Sequence, residues 1–254
     1  MAESTTTPLE AILAVDIGAT SIKCCPVDQR GQLLSDVVRV ATPYPCLPDT
    51  LVTAVAGLIN ASALARAGVG FPGDIVDGVV VEPGNLSRAG GIATPVDPVI
   101  HAQWVGCHLE TELRARCRAQ VRVVNDATLA AYGYAEGVGR ELIFTLGTGF
   151  GIALVVDGTW QKIPDVGNAP YYDLGTYDEV MGEPARARDT SRWHAHLAEA
   201  IGAFVREYSA DVVHVGGGNA RNVSAQDLRD AGCLVVFNDN EGTLRGAARL
   251  FDGA

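Results

Sequence analysis

The chain has 254 residues, 48% of them hydrophobic and 19% charged, with a formal net charge of −11. This is ordinary globular composition and excludes wholesale disorder. The acidic balance argues against a nucleic-acid binder, whose footprint is basic, yet allows a small anion held by backbone N–H groups. The length fits one large domain or two small ones.

The start is polar, carries Glu3, and has no basic segment ahead of an apolar run, unlike a secretory leader. No stretch approaches about 18 uninterrupted apolar residues, so no membrane span is expected. The six cysteines (24, 25, 46, 107, 117 and 233) follow no metal-ligand spacing and read as buried reduced thiols. These features predict a cytoplasmic protein.

Residues 1–10 read as a flexible tail. The apolar run Ala11–Val15 ends in Asp16-Ile-Gly-Ala-Thr20. Ser21–Val27 and Gln32–Val40 continue it as an antiparallel meander. Leu51, Val55, Leu58, Ile59 and Ala63 predict a helix over 51–67. Gly68–Phe71 is a short strand, and residues 75–82 form a hairpin around Asp77-Gly78. Residues 83–106 read as a Gly/Pro-rich loop. Helices near 107–119 and 127–136 flank the strand Val121–Val124. The strands Glu141–Leu146 and Ile152–Val156 flank Gly147-Thr-Gly-Phe-Gly151. Residues 161–190 read as loop-rich and 191–208 as a helix. Strand Val212–Val215 ends at Gly216-Gly-Gly-Asn219. A helix, the strand Leu234–Phe237 and a terminal helix over 242–250 follow. The glycine turns after Val15 and Leu146 each join two strands, a weak internal repeat that predicts two similar halves.

Four segments could carry chemistry. Gly147-Thr148-Gly149 could cradle an anion with backbone N–H groups and a hydroxyl, or simply turn a hairpin. Asp16-Ile-Gly18-Ala-Thr20 adds a carboxylate, which commonly organises Mg²⁺ through water; it could equally close an Asx turn. Lys23 could face a phosphate or solvent. Asp126, at a strand end, is either the cap of the next helix or a general base toward a hydroxyl. Gly217 and Gly218 could let an adenine and ribose lie against backbone, or merely connect strand to helix. No G-x-G-x-x-G opens a helix and no P-loop occurs, so dinucleotide and P-loop NTPase readings lack support. The five histidines lack zinc-protease spacing.

The order of these segments is more specific than any one of them. Leu13-Ala-Val-Asp-Ile-Gly-Ala-Thr-Ser-Ile-Lys23 resembles the first phosphate motif of the ROK family of sugar kinases. Gly68-Val-Gly-Phe-Pro-Gly73 resembles that family's G-x-G-x-P-G segment, and Val123-Val-Asn-Asp-Ala127 its catalytic segment. Phe144-Thr-Leu-Gly-Thr-Gly-Phe-Gly151 is similar to its second phosphate motif and Val215-Gly-Gly-Gly218 to its adenosine motif. Glu241–Ala248 is similar to its closing helix. The compact length is most like the polyphosphate/ATP glucokinase branch.

The resemblance implies an α/β, actin-like ATPase fold: two ribonuclease-H-like domains around a nucleotide cleft. The domains would be 11–124 and 125–254, with the terminal helix packing on the first. It implies a kinase using ATP and Mg²⁺ on a small sugar or cyclitol hydroxyl, and a homodimer. Asp126 would be the base. Asp16, Gly18, Thr20, Lys23, Gly147, Thr148 and Gly149 would serve the phosphates, with Asp16 reaching Mg²⁺ through water. Gly217 and Gly218 would meet adenosine. Gly73, Asn85 and Asn125 would lie on the acceptor side. Matching Thr176-Tyr-Asp-Glu-Val-Met-Gly182 without gaps to the family's T-Y-x-x-x-x-G puts Asp165-Val-Gly167-Asn168 on its sugar-binding E-x-G-H. Asp165 withdraws the carboxylate by one methylene, and Asn168 cannot titrate. These changes predict an acceptor other than glucose, such as a modified hexose, amino sugar or cyclitol. The family's cysteine cluster is absent, so no structural zinc is expected. The alternatives are a polyphosphate/ATP glucokinase and a non-catalytic nucleotide-binding member.

Overall fold

A computed structural model describes residues 11–164, 166–239 and 241–251. The tail expected over 1–10 therefore lies outside the described residues. The chain divides into two compact units: Met1–Leu129 with Thr243–Ala254, and Ala130–Gly242.

The first unit opens with β1 (Ile12–Ile17), β2 (Ser21–Val27) and β3 (Val38–Ala41), then α1 (Pro48–Ser62) and β4 (Arg66–Phe71). The hairpin β5 (Asp74–Val76) and β6 (Val79–Glu82) follows. Then come α2 (Pro98–Trp104), α3 (Leu109–Arg116), β7 (Gln120–Asn125) and α4 (Asp126–Tyr134), whose last turns pass into the second unit. The main sheet runs β3-β2-β1-β4-β7. β1 is antiparallel to β2 and parallel to β4, and β4 is parallel to β7. All six residues of β1 are buried, as expected of a central strand covered on both faces. Helix α1 covers the sheet with Leu51, Val52, Val55, Ala56 and Ile59. Each fully buried Leu, Val or Ile there contributes about 1.5–3 kcal/mol. Trp104 is buried and donates its indole N–H to the Cys46 carbonyl.

The second unit holds β8 (Arg140–Leu146), β9 (Phe150–Val156) and β10 (Thr159–Gln161). Helices α5 (Tyr177–Met181), α6 (Glu183–Arg188) and α7 (Thr190–Tyr208) follow, then β11 (Val212–Gly216) and β12 (Leu234–Phe237). Its sheet runs β10-β9-β8-β11-β12, with β8 antiparallel to β9 and parallel to β11, and β11 parallel to β12. Strand for strand this repeats the first sheet. The internal repeat suggested by two glycine turns is thus a repeat of whole topology, the ribonuclease-H-like order occurring twice. Trp193 of α7 is buried and donates to the Met181 carbonyl, pinning α5.

The chain ends with α8 (Gly242–Arg245) and a 3₁₀ turn, Gly246–Phe251. That turn packs on β1 and β4 of the first unit. A Cβ on Gly68 would lie 2.9 Å from the Ala247 methyl, so glycine is what admits it. Arg122 donates to the Leu250 carbonyl and stacks over Phe251.

Several expected elements differ. Residues 83–106 contain α2, whose Asp97 cap and Pro98 are a regular helix start. Residues 161–190 contain α5 and α6. Only Val38–Ala41 of the stretch expected from Gln32 is a strand. Helix α1 spans 48–62 rather than 51–67, because Ala63 turns left-handed. The helix expected after Asn219 is only a 3₁₀ turn, Ala220–Asn222. There Asn222 bonds Asn219, and Asp227 accepts the Ser224 N–H, local pairings that compete with a helix. Cys24, Cys25 and Cys46 are buried, but Cys107, Cys117 and Cys233 are only partly so; all six are free thiols. No helix among the described residues is long and apolar enough to cross a membrane.

Glu141 and His214 form a buried pair at 2.8 Å across β8 and β11, each side chain 1% exposed. Glu141 also accepts N–H bonds from Glu136, Gly137 and Val138, closing the loop after α4. Burial pushes its carboxyl up, but those N–H groups and His214 outweigh burial and hold it below the ordinary 4.5. A depressed carboxylate stabilises the fold above its unfolded pKa, and that contribution disappears as pH falls through the lower folded value. Glu141→Ala should therefore cost about 3–5 kcal/mol at neutral pH. In thermal melts from neutral pH downward, Glu141→Gln should lose part of the wild type's decline below about 4.5.

Candidate active site

In the first unit the candidate residues gather where the parallel strands end. Asp16 pairs in register with Gly70, and Phe71 with Asn125, so the carboxyl ends of β1, β4 and β7 lie side by side. Crevices outside such ends are where α/β sheets bind ligands. Asp16 also faces Lys23 across the β1–β2 pair, with Nζ 3.0 Å from Oδ2. The lysine expected at a phosphate thus holds the carboxylate expected at Mg²⁺.

The turn Gly18–Thr20 is trussed from behind. Thr42 Oγ1 donates to the Gly18 carbonyl at 2.6 Å, the Tyr44 hydroxyl to Ala19 at 2.7 Å, and the Thr42 N–H to Thr20 at 3.2 Å. Burial pushes the Tyr44 phenol up to about 12, so it remains a donor. Three consecutive carbonyls are thereby turned to protein partners. An anion is repelled by carbonyl oxygens and drawn to N–H groups, of which that of Gly18 already donates to the Ser21 carbonyl at 3.0 Å.

Asn125 and Asp126 divide the work at the start of α4. Asn125 Oδ1 accepts the N–H groups of Ala127 and Thr128, making the helix cap, while its Nδ2 donates to the Gly73 carbonyl. Asp126 Oδ1 lies 2.8 Å from the Ala127 nitrogen. The capping role open to Asp126 in the sequence is carried largely by its neighbour. Gly73 positions Asn125 through that carbonyl. Any Cβ on Gly73 would collide with Glu82 and Pro83, so packing alone demands the glycine. Gly84, at φ +55°, lies against Pro72 in turn. This stacking sets Asn85, whose Oδ1 accepts from Arg88 Nε at 2.7 Å; Arg88 also ties to the Thr94 carbonyl.

The second unit repeats the arrangement at β8, β11 and β12. Gly147 O accepts from the Glu183 N–H at 3.0 Å and from Asn219 Nδ2 at 3.1 Å. Gly149 O accepts from the Gly147 N–H. The Arg186 guanidinium, helped by Asn219, holds the Glu183 carboxyl below its usual range. The four glycines of this unit expected at a ligand differ in what their missing side chain does. A Cβ on Gly149 would strike the Asp178 carboxylate, and Gly217, at φ +86°, lies against Leu146 backbone. At Gly147 and Gly218 a Cβ would meet nothing within 4 Å. Protein packing explains the first two glycines, while the second two face open space.

Beside Gly218 is a cavity of about 260 Å³ lined by Gly217, Gly218, Ala220, Arg221, Val223, Phe237, Asn238 and Asp239. That is below the roughly 300–1,000 Å³ of a drug-sized ligand pocket and suits one part of a nucleotide, such as its base. The apolar walls Ala220, Val223 and Phe237 suit a flat ring. Asn168 is exposed and its neighbour Gly167 is buried; Asp165 lies outside the described residues. Among the described residues no group of three His, Cys, Asp or Glu side chains could hold a metal ion.

The ROK family model matches residues 12–168, and the chain belongs to the ROK family. It is 29% identical over 229 residues to polyphosphate glucokinase of Mycobacterium leprae (strain TN), covering 82% of this chain and 63% of that protein. The chain thus spans less than two thirds of that relative's length. The Mycobacterium tuberculosis (strain CDC 1551 / Oshkosh) polyphosphate glucokinase is 26% identical over 82% of this chain and 77% of its own. The crystal structure of inorganic polyphosphate/ATP-glucomannokinase from Arthrobacter sp. strain KM superposes with a TM-score of 0.77 at 28% identity, over 94% of this chain and 97% of that one. A ROK glucokinase from Streptomyces griseus, solved with glucose and AMPPNP, shares the fold with a TM-score of 0.77 at 17% identity, over 96% and 100% of the two chains. The fold is the actin-like ATPase fold of these sugar kinases.

Sequence reasoning missed Thr42, Tyr44, Arg88, Asn219 and Asp178, which touch the candidate residues rather than resemble them. The glycines provide a direct test. Gly147→Ala and Gly218→Ala should leave the melting temperature within about 2 °C and weaken ATP binding at least about tenfold, or roughly 1.4 kcal/mol, by calorimetry. Gly149→Ala should instead lower the melting temperature clearly.

Proposed function

We propose that this chain is an ATP-dependent kinase that transfers the γ-phosphoryl group to a hydroxyl of a hexose, modified sugar or cyclitol. The observation that carries the reading is the pair of trussed turns. Both Gly18–Thr20 and Gly147–Gly149 have their carbonyls bonded away, and each stands at the matching strand end of its unit. Asp126 stands at the corresponding end of β7 and is the proposed base. In its ionised form it takes the proton from the acceptor hydroxyl as that oxygen attacks phosphorus. Asn85, held by Arg88, and Asn125, held by Gly73, orient the acceptor. Gly18, Thr20, Gly147, Thr148 and Gly149 receive the phosphates, and Gly217 and Gly218 line the nucleoside end. Mg²⁺ would neutralise charge on the phosphates, with Asp16 at its water shell and Lys23 toward the phosphate oxygens. Catalysis of this kind is mostly positioning and charge stabilisation.

The acceptor is proposed to be read by Asp165 and Asn168. Carboxylate and amide reach differ there from the family's Glu and His, and mismatched hydroxyls leave polar groups unpaired. The named activities of the mycobacterial and Arthrobacter proteins support a second reading, with polyphosphate as an alternative donor and glucose as acceptor. A cytoplasmic homodimer without structural zinc goes with either reading.

The test is ADP release from Mg-ATP over a panel of hexoses, amino sugars and cyclitols, with polyphosphate as a second donor. Asp126→Asn should lower kcat about 10²–10⁴-fold with little change in ATP binding. ATP binding without turnover on any acceptor would favour a non-catalytic member. Asn168→His should shift the ratio of kcat/KM values toward glucose; glucose as the best wild-type acceptor by a wide margin would sink the altered-acceptor reading.

A further inference from the structure

Asp178, the second residue of α5, carries no role in the motifs quoted above, yet it joins two of them. Its Oδ1 accepts the Phe150 N–H at 2.8 Å, at the exit of the phosphate turn. A Cβ on Gly149 would lie 2.5 Å from that same oxygen, and a Cβ on Gly167 would lie 3.0 Å from it. Its own N–H donates to the Gly167 carbonyl at 2.9 Å, while the neighbouring Tyr177 N–H reaches Ala169 at 3.1 Å. Its carbonyl accepts from the Gly182 N–H at 2.9 Å, and the next N–H, of Glu183, donates to Gly147. One carboxylate and its peptide groups thus tie together the turn 147–150, the strap 166–169 and the α5–α6 junction.

The anchorage behind Asp178 is firm. Thr176 and Glu179 form a reciprocal capping box at the start of α5. Trp193 holds the Met181 carbonyl at its end. A residue fixed at both ends transmits displacement rather than absorbing it. The two glycines are required because a side chain at either would push the carboxylate out of register with both segments.

Resting on the kinase reading, we propose that Asp178 is a positioning residue that couples the acceptor strap to the phosphate turn. Placement of the phosphates sets the strap that bears Asn168, and placement of the acceptor sets the turn. Coupling of this kind between two sites is reciprocal in binding free energy.

The experiment compares Asp178→Ala, Asp178→Asn and Asn168→Ala in steady-state kinetics, with circular dichroism to verify folding. Asp178→Ala should raise KM for both MgATP and acceptor about fivefold or more, the lower end of usual coupling. Asp178→Asn retains an oxygen for the Phe150 N–H and should stay within about twofold of wild type for both. Asn168→Ala should raise only the acceptor KM. A folded Asp178→Ala that changes one KM alone, or neither, overturns the proposal, as does failure of Asn to rescue. Hydrogen exchange on the wild type needs no variant: a non-hydrolysable ATP analogue with Mg²⁺ should protect 166–169 as well as 147–150. Protection confined to 147–150 overturns the coupling. If the wild type neither binds the analogue nor turns over any acceptor, the kinase reading itself fails and the coupling falls with it.

Discussion

A phosphate group cannot rest against carbonyl oxygens. Every tight turn exposes both N–H and C=O groups, so a turn meant for phosphate must have its carbonyls bonded elsewhere. Both glycine turns meet this requirement with different partners. The first uses the side chains of Thr42 and Tyr44 from the segment after β3. The second uses the Glu183 peptide and Asn219. Because the constraint is met by contacts arriving from distant chain segments, much of each unit's layout serves to bring them there.

The strand order supplies the rest. A parallel pair cannot be joined by a two-residue turn, so each crossover in β1-β4-β7 and β8-β11-β12 needs a long connection. Loops leaving the three parallel strands therefore emerge along one edge of each sheet. Gly18, Gly73 and Asp126 follow the strands of the first unit; Gly147 and Gly218 follow those of the second. The duplicated topology means that the same strand-end turn occurs twice, each held by different local side chains.

Much of this could be read from the residues. Asp77-Gly78 and Asp157-Gly158 both take positive φ, as Asp-Gly hairpin turns require, and β2 spans Ser21–Val27, the run read as the second strand of a meander. Short helices escaped because five to seven residues show less than two turns of periodicity; α5 is marked only by its Thr176–Glu179 box and α2 by Asp97-Pro98. The candidate site was legible where chemistry rests on residue type, as at Asp126. It was illegible where a residue acts by touching another. Tyr44 lies 25 positions from the carbonyl it holds, and Asp178 lies 28 from the Phe150 N–H it accepts. No local pattern records such pairings. Nor does sequence separate a glycine that faces open space from one that makes room for protein, as Gly147 and Gly149 do two positions apart.

The return of residues 246–251 to β1 and β4 has a consequence for biosynthesis. Ala247 fills the space above Gly68, and Arg122 closes over Leu250 and Phe251. On a ribosome that covering is made after both sheets. The second unit, continuous in sequence, can close while translation continues. The first waits with β1 and β4 uncovered until residues 246–251 arrive, and during that interval it is the part of the nascent chain a chaperone would hold.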